Sequence, residues 1–389
     1  RGRCVPQELT ELETLLRERI TREGPLPFRE VMQAALYHPE YGYYTNLRGF
    51  GASGDFITSP ERHPAFGWLL GRQALDVWEA LERPRPFKIL ELGAGSGALA
   101  EPLMLFLRDE VPDTAYTLDE VSPSLRSVQQ ERLRGQEFRW EGVDEPAHFI
   151  VANEVADALP VHRVVVRSRR FSELHVGLDE HERLSWVETD AARPEVEAYF
   201  EALHYKPPEG EVVDVCLELG EWVKNLSRRL EARGVALVID YTASPPRDSL
   251  LTYYRHTLGT DPLVRLGQQD ISAHVDLRTL VRVAIAEKLQ PGATAQRGLL
   301  FNLGFAQVQA RLKGPTDRQA LAHLVDPDGP GGQIAAVFLL RGLPGYRPAG
   351  AVGRDWPEPA RLPSLPPDQD EADFLSQWRE AFTASEENC

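Results

Sequence analysis

The most informative stretch of the sequence is Lys88-Ile-Leu-Glu-Leu-Gly-Ala-Gly-Ser-Gly97. It begins as a short apolar run typical of a buried β-strand and continues into three closely spaced glycines, after which Leu99 to Arg108 has helical spacing. Glycines between a strand and a helix let the backbone approach a ligand, because they carry no side chain. We therefore predict that Gly93, Gly95 and Gly97 contact a cofactor; the simpler alternative is a glycine-rich turn without a ligand.

The segments that follow the glycine loop alternate between strands and helices. The sequence predicts a strand at Ala115 to Glu120, a helix at Ser124 to Arg134 and a strand at Phe149 to Ala152. The last of these runs and Val235 to Asp240 contain no alternating polar residues, which is typical of strands covered on both faces. This order predicts an α/β protein with a doubly wound, mostly parallel sheet and a Rossmann-like core.

The rest of the chain is predicted to surround this core. The predicted domains are a helical N-terminal cap (1–84), the core (85–160 and 212–341), an inserted antiparallel hairpin module around Asp179 and Glu180 (161–211), and a proline-rich tail with a C-terminal helix (342–389). Phe305 to Leu312 and Ile334 to Leu340 are predicted to supply the last two strands. The tail is expected to run along the surface and to end in a helix with Phe374, Trp378 and Phe382 on one face.

The composition excludes several classes of protein. The chain has 389 residues and a net charge of −16, which opposes binding to the phosphates of nucleic acids. Its longest apolar run, Ile334 to Leu340, is far shorter than the roughly 20 residues that a membrane-spanning helix needs. Cys4, Cys216 and Cys389 have neither disulfide nor zinc-ligand spacing, so we expect no metal. Without a signal or transit segment, the expected location is the cytoplasm.

Glu91 distinguishes between the possible cofactors. The loop also fits the pattern GxGxxA, so a nicotinamide or flavin dinucleotide is an alternative. A carboxylate two residues before Gly93 would repel a pyrophosphate, whereas S-adenosylmethionine offers an ammonium and a sulfonium group. Glu120, at the end of the next predicted strand, is expected to bind ribose hydroxyls in either case, unless it is simply a solvated acid. The sequence therefore favours S-adenosylmethionine.

The sequence resembles the MidA-like family of S-adenosylmethionine-dependent methyltransferases from about Ile20 to Leu340. The resemblance rests on the glycine loop, Gly54-Asp-Phe-Ile-Thr-Ser-Pro-Glu61, Asn153-Glu-Val-Ala-Asp-Ala-Leu-Pro160, Asp240-Tyr241 and Ala273-His-Val-Asp276. That family includes a mitochondrial complex I assembly factor that methylates an arginine of a core subunit. The resemblance implies S-adenosylmethionine as donor and S-adenosylhomocysteine as product. Thr242 stands where the family usually has glycine, so a Cβ occupies that turn.

The third predicted strand is followed directly by Asn153 and Glu154. Ligands of open α/β sheets bind outside the carboxyl ends of the strands, so we expect Asn153 beside the cofactor and Glu154 facing the transferable methyl group. Glu154 and Asp157 are three residues apart and would share one face of a helical turn, where they could grip a guanidinium group. The alternative is that Asn153 caps a helix and the two acids lie against its dipole.

Further site residues are predicted around the cleft. Asp55 is a candidate there, and the resemblance implies that its neighbours Thr58, Ser59 and Glu61 line the cofactor and substrate cleft. Tyr241 could orient an acceptor, and His274 could form a hydrogen-bonded pair with Asp276. Each has a simpler alternative, such as a Gly-Asp turn or a structural histidine.

These observations predict a soluble S-adenosylmethionine-dependent methyltransferase that acts on arginine in a protein substrate. The resemblance implies a subunit of respiratory complex I as that substrate, and a homodimer is a further possibility. Two alternatives stay open: an assembly chaperone that binds S-adenosylmethionine without transferring a methyl group, and a nucleotide-dependent oxidoreductase.

Overall fold

The computed structural model describes residues 9–45, 58–255, 257–312 and 314–357. The predictions on Asp55 and on Phe374, Trp378 and Phe382 lie outside the described residues. The chain forms two compact units. Unit 1 comprises Arg1–Arg48, Asp157–Leu219 and Ala243–Arg278, and unit 2 comprises Gly49–Ala156, Gly220–Thr242 and Thr279–Cys389. The domain boundaries predicted from the sequence describe parts of the chain that fold independently, which the division into these two units does not test. They stay a prediction.

The helices and strands of the described residues have the following bounds. The helices are α1 (Glu11–Glu23), α2 (Phe28–Tyr37), α3 (Ser59–Arg62), α4 (Ala65–Ala80), α5 (Ala100–Glu110), α6 (Pro123–Arg132), α7 (Pro194–Ala202), α8 (Leu219–Arg228), α9 (Leu277–Ala286), α10 (Gln296–Asn302), α11 (Phe305–Arg311), α12 (Pro315–Leu324), α13 (Pro330–Gln333) and α14 (Ala349–Val352). The strands are β1 (Leu26–Pro27), β2 (Phe87–Leu92), β3 (Thr114–Asp119), β4 (Phe138–Arg139), β5 (Ala147–Asn153), β6 (His162–Arg167), β7 (Arg170–Leu178), β8 (Leu184–Glu188), β9 (Val212–Val215), β10 (Leu230–Ala243), β11 (Leu251–Tyr254), β12 (Thr257–Gly259), β13 (Asp270–Ser272), β14 (Val275–Asp276), β15 (Gln290–Ala295) and β16 (Ile334–Arg341). No helix in the described ranges is both long enough and apolar enough to span a bilayer.

Unit 2 is built on a mostly parallel sheet. Its strand order is β15-β16-β10-β5-β2-β3-β4. The pairs from β10 through β5, β2 and β3 to β4 are parallel, whereas β16 is antiparallel to both β10 and β15. Helices α4 and α5 belong to the apolar core that covers this sheet. The predicted α/β class with a doubly wound sheet is confirmed.

Of the two predicted last strands, Ile334 to Leu340 is confirmed as β16, and the other needs correction. Phe305 to Leu312 is not a strand but contains helix α11, and its buried residues Phe305, Val308 and Leu312 follow helical spacing. The strand that the prediction missed is β15, whose sequence contains Pro291 and Gly292. It lies at the sheet edge, where proline is tolerated because no backbone donor is needed on the open side.

Arg72 joins the beginning of the proline-rich tail to unit 2. Its guanidinium carbon lies 4.7 Å from the ring centre of Trp68 and 5.0 Å from that of Trp356. The same guanidinium donates to the Leu303 carbonyl (2.9 Å) and the Pro357 carbonyl (3.0 Å). Trp356 is buried. Several residues between 342 and 357 are exposed, as expected of a surface segment, and the end of this part is anchored because Trp356 packs on the buried Arg72.

Unit 1 contains the predicted antiparallel hairpin. Strands β7 and β8 pair from Leu174 and Glu188 to Leu178 and Leu184, and β7 continues the sheet through β6 to β9. One face of this sheet packs on α7 through a buried apolar cluster: Val164, Val196, Tyr199, Phe200, Val213 and Val215. The hairpin turn at Asp179 and Glu180 is confirmed.

Glu173 on β7 is the centre of a buried polar network in unit 1. Its carboxylate accepts hydrogen bonds from the Arg193 backbone N–H and Nε, each at 2.9 Å, and lies 3.1 Å from Nδ1 of His162. Burial alone would raise the pKa of Glu173. The bonds from His162, His175 and Arg193 outweigh that effect and hold the pKa well below its usual range.

We expect Glu173→Gln to lower the free energy of unfolding by about 1–3 kcal/mol at pH 7, since it removes charge-assisted bonds from a buried site. Because the folded-state pKa is depressed, this contribution is present above about pH 4.3, the unfolded value, and is lost as the pH falls below it. Chemical denaturation at several pH values measures the difference. Glu188→Gln, which removes an exposed pair with Arg167, is the control and should change stability by less than about 0.5 kcal/mol. Equal effects of the two substitutions would contradict the assignment.

Candidate functional site

The glycine loop follows β2 at the carboxyl edge of the unit 2 sheet. Gly93, Gly95 and Gly97 have φ angles of 60°, 54° and 81°, in the region that favours glycine. A Cβ on Gly93 would lie 2.8 Å from Cγ2 of Val155, so even alanine does not fit there. The backbone conformation of the loop therefore requires glycine at these positions. At each of them the loop presents backbone atoms without a side chain at the sheet edge.

The loop is held at Gly95 from both sides. The Gly95 N–H donates to Oε2 of Glu120 (2.9 Å), and the Gly95 carbonyl accepts from Nε2 of Gln129 (2.7 Å). Gln129 is oriented in turn by Nε1 of Trp140, which donates to its Oε1 (2.7 Å). The second oxygen of Glu120 accepts the Ser122 N–H (2.8 Å). Glu120 thus supports the loop, and its predicted contact with ribose stays a prediction.

Glu91 is buried at the end of β2, with 3% of its surface exposed. The hydroxyl of Tyr116 on β3 donates to its Oε2 at 2.7 Å. Burial raises the pKa of Glu91 to about 8; the bond from Tyr116 opposes this rise and the charge of Glu120 adds to it. At neutral pH the carboxyl group therefore holds its proton until a cation approaches it.

Asn153 supplies a second polar atom that suits a cationic ligand. Its Nδ2 donates to Oε1 of Glu154 (3.1 Å), while its Oδ1 is buried and has no hydrogen-bond partner among the described residues. An acceptor buried in this way costs free energy unless a ligand donates to it. The exposed Val121, next to Glu120, adds an apolar surface for a flat ring. Oxygen acceptors and an apolar side chain fit the ammonium and adenosine parts of S-adenosylmethionine better than a pyrophosphate.

The turn after β5 differs from the predicted helix. Glu154 has a left-handed backbone, with φ of 52°, and only Ala156–Ala158 form a single 3-10 turn. The N–H groups of Val155 and Ala156 donate to Oδ2 of Asp240 at 3.1 and 2.8 Å. Asp240 therefore caps this turn, and Asn153 does not. The inference that Glu154 and Asp157 share one helical face is wrong, because Glu154 lies outside the helical residues.

Glu154 presents a half-buried carboxylate at this turn. Its Oε1 accepts both the Ser59 N–H and Nδ2 of Asn153 at 3.1 Å, while its Oε2 accepts no hydrogen bond from the described part of the chain. Burial raises the pKa of Glu154, and the two hydrogen bonds and the charge of Arg62 partly offset the rise. Arg62 also lies near Tyr241. One oxygen of the carboxylate is thus fixed by two hydrogen bonds from described residues.

The structure places the predicted site residues in both units. Unit 2 holds Glu91, Gly93, Gly95, Gly97, Glu120, Asn153, Glu154, Thr58 and Tyr241. Thr58 precedes α3 and makes no side-chain capping bond. Unit 1 holds Asp157 and His274. The roles predicted for all these side chains stay predictions.

The two predicted residues of unit 1 have defined neighbours there. Asp157 accepts the Ala273 N–H through its backbone carbonyl at 2.9 Å. The Arg247 guanidinium lies 3.3 Å from Nδ1 of His274, whose pKa is lowered by burial and by that charge. The Asp276 carboxylate accepts from the hydroxyl of Tyr199 at 2.7 Å.

Sequence reasoning missed four residues that shape the cofactor edge. Asp240 was visible as an acid at the end of a buried strand and was quoted in a motif, but it was given no role. Tyr116, Gln129 and Trp140 carry no local signal, because their function comes from contacts with residues 11 to 34 positions away. Only the folded arrangement of β3 and α6 reveals them.

The comparisons with known proteins agree with this geometry. A family described as "Putative S-adenosyl-L-methionine-dependent methyltransferase" matches residues 69–293. The chain is 30% identical over 361 residues to the Mus musculus protein named protein arginine methyltransferase NDUFAF7, mitochondrial, covering 82% of this chain and 81% of that one. It is 29% identical over 365 residues to the Danio rerio protein of the same name, covering 84% and 86%. A crystal structure of a Burkholderia thailandensis protein bound to S-adenosyl-homocysteine superposes with a TM-score of 0.78 at 29% identity, covering 88% of this chain and 95% of that one.

The chain belongs to this family of S-adenosylmethionine-dependent methyltransferases. It is therefore an enzyme, and the predicted methyl donor is confirmed. Membership of this family excludes the two alternatives, a nucleotide-dependent oxidoreductase and a binding protein that transfers no methyl group.

We expect Gly95→Val to abolish binding of S-adenosylhomocysteine. Valine at a φ of 54° costs about 1–3 kcal/mol of backbone strain, and its side chain enters the space that the cofactor needs. Isothermal titration calorimetry measures the affinity, and circular dichroism establishes that the variant folds.

Gly135→Val is the matched control for this substitution. Gly135 also has a left-handed backbone, with φ of 78°, but a Cβ on it would meet no heavy atom within 4 Å. Its replacement should affect stability and leave the affinity for S-adenosylhomocysteine within about twofold. Unchanged affinity in folded Gly95→Val would reject this loop as the cofactor site.

Proposed function

We propose that this enzyme methylates a nitrogen of an arginine side chain in a protein substrate. The named relatives from mouse and zebrafish are protein arginine methyltransferases, and they match along about four fifths of the chain. The net charge of −16 also suits a cationic acceptor, although it does not select one.

The geometry of Glu154 is the observation that carries this proposal. A guanidinium group is charged at all working pH values and has no readily available lone pair. A carboxylate that binds two of its nitrogens localises charge there and makes the third a better nucleophile. Glu154 lies at the carboxyl end of a central strand, with its Oε1 held by Ser59 and Asn153.

The side chains around Glu154 prepare it for this task. Bound S-adenosylmethionine supplies an electrophilic methyl group for displacement by nitrogen. Ser59 and Asn153 fix the carboxylate so that little reorganisation is needed when the acceptor arrives. The raised pKa of Glu154 suits acceptance of the proton that the nitrogen loses on methylation. Tyr241, next to the capping acid Asp240, is the aromatic residue proposed to orient the acceptor.

The partner and the location follow from the relatives and the resemblance. A subunit of respiratory complex I, or a similar protein, is the proposed substrate. The animal relatives are named as mitochondrial proteins, and the cytoplasm stays the predicted location of this chain. A homodimer is a further proposal, which sedimentation velocity would test.

We expect Glu154→Gln to lower methyl transfer by about 10²-fold or more, because the amide keeps the size of the side chain but loses the charge that holds a guanidinium. Binding of S-adenosylhomocysteine should change by less than about twofold, since the amide can still accept from Ser59. The measurement is transfer of labelled methyl to a lysate, followed by identification of the modified residue. Asp157→Asn tests the other predicted acid separately.

Glu231→Gln is the control, because Glu231 is a half-buried acid near the opposite end of β10 and pairs with Lys88. It should leave turnover intact. Full turnover in folded Glu154→Gln, or label on a residue other than arginine, would contradict the proposed function.

A further inference from the structure

Helix α3 is fastened to the glycine loop by a charged network within unit 2. The hydroxyl of Ser96, which lies between Gly95 and Gly97, donates to the carboxylate of Glu61 on α3. Nη1 of Arg132 donates to the same hydroxyl at 2.6 Å and lies 3.5 Å from Oε1 of Glu61. Three side chains from three separate segments thus meet at one residue of the loop.

The two acids that contact Arg132 differ in their surroundings. The side chain of Glu61 is only 11% exposed and contacts the loop, whereas that of Glu101 is 44% exposed and contacts Nε of Arg132 at 3.1 Å. A carboxylate that is removed from water needs a cation or several donors close by. Arg132 and Ser96 together supply this compensation to Glu61.

A loop with three glycines needs such restraint. Glycine loses more conformational freedom on ordering than any other residue, so a loop that orders only when ligand binds would lower the affinity. Gly95 is already held through its backbone by Glu120 and Gln129. Ser96 supplies the one non-glycine side chain between Gly95 and Gly97, and its hydroxyl is the group that Glu61 holds.

We propose that Glu61 is a positioning residue for the cofactor, which holds the glycine loop in its binding conformation through the hydroxyl of Ser96, with Arg132 as its counter-charge. Glu61 itself need not touch the ligand. The proposal concerns cofactor binding alone and does not depend on the identity of the methyl acceptor.

A double-mutant cycle on the full chain tests this assignment. Glu61→Gln and Ser96→Ala should each weaken binding of S-adenosylhomocysteine about tenfold, which is the range for one charge-assisted hydrogen bond. Because both act through one contact, the double variant should bind within about twofold of the weaker single variant. Glu101→Gln, the matched control on the other side of Arg132, should bind within about twofold of the unsubstituted protein.

A second readout separates positioning from general stability. The melting temperature without ligand reports on folding, and its increase on saturation with S-adenosylhomocysteine reports on binding. We expect Glu61→Gln and Ser96→Ala to reduce that increase, whereas Glu101→Gln should not. If Glu61→Gln does not fold, Ser96→Ala and Arg132→Lys are compared with Glu101→Gln in the same way.

Three results would overturn the proposal. They are unchanged affinity in Glu61→Gln, equal losses in Glu61→Gln and Glu101→Gln, and losses that multiply independently in the double variant. Full turnover in Glu154→Gln, which would contradict the proposed function, would leave this proposal untouched, so the two assignments fail separately.

Discussion

Burying Glu91 beside the glycine loop costs free energy, because a carboxylate loses its hydration there and, among the described residues, gains a hydrogen bond from the hydroxyl of Tyr116 in return. This loss of hydration raises the pKa of the carboxyl group to about 8. A cationic ligand would offset the cost of burial more fully, since it would stabilise the ionised form of the carboxyl group. The buried Oδ1 of Asn153, which has no hydrogen-bond partner among the described residues, is a second atom at this sheet edge that needs a hydrogen-bond donor. Both features favour S-adenosylmethionine over a pyrophosphate.

Asp240 and Glu154 differ in how many backbone donors their carboxylates accept. Asp240 accepts the N–H groups of Val155, Ala156 and Tyr241 and thereby fixes the turn that carries Glu154. Glu154 has both of its hydrogen bonds on one oxygen. The buried Asp240 therefore shapes the turn, and the half-buried Glu154 is the carboxylate for which we propose contact with the acceptor.

Local patterns predicted the elements whose role is set by their own residues. The run before Gly93 forms β2, the turn at Asp179 closes a hairpin, and the α/β class follows from the alternation of strands and helices. One error is a misread local pattern, because Phe305 to Leu312 is predicted as a strand although its apolar spacing is helical. Other features depend on tertiary contacts, such as the burial of Trp356, which packs on the distant Arg72. The predicted helical turn at Glu154 failed because Asp240, 86 positions along the chain, caps it differently than a local residue would.

The account depends most directly on Glu91 meeting the ammonium group of the cofactor. Calorimetric titration with S-adenosylhomocysteine at pH 7, in two buffers with different ionisation enthalpies, tests this contact. Since the pKa of Glu91 is about 8 without ligand, binding should release close to one proton, and the affinity should rise as the pH increases towards 8. Glu91→Gln should bind more weakly and release no proton. Identical binding heats in both buffers, with affinity independent of pH between 6 and 8, would contradict the account.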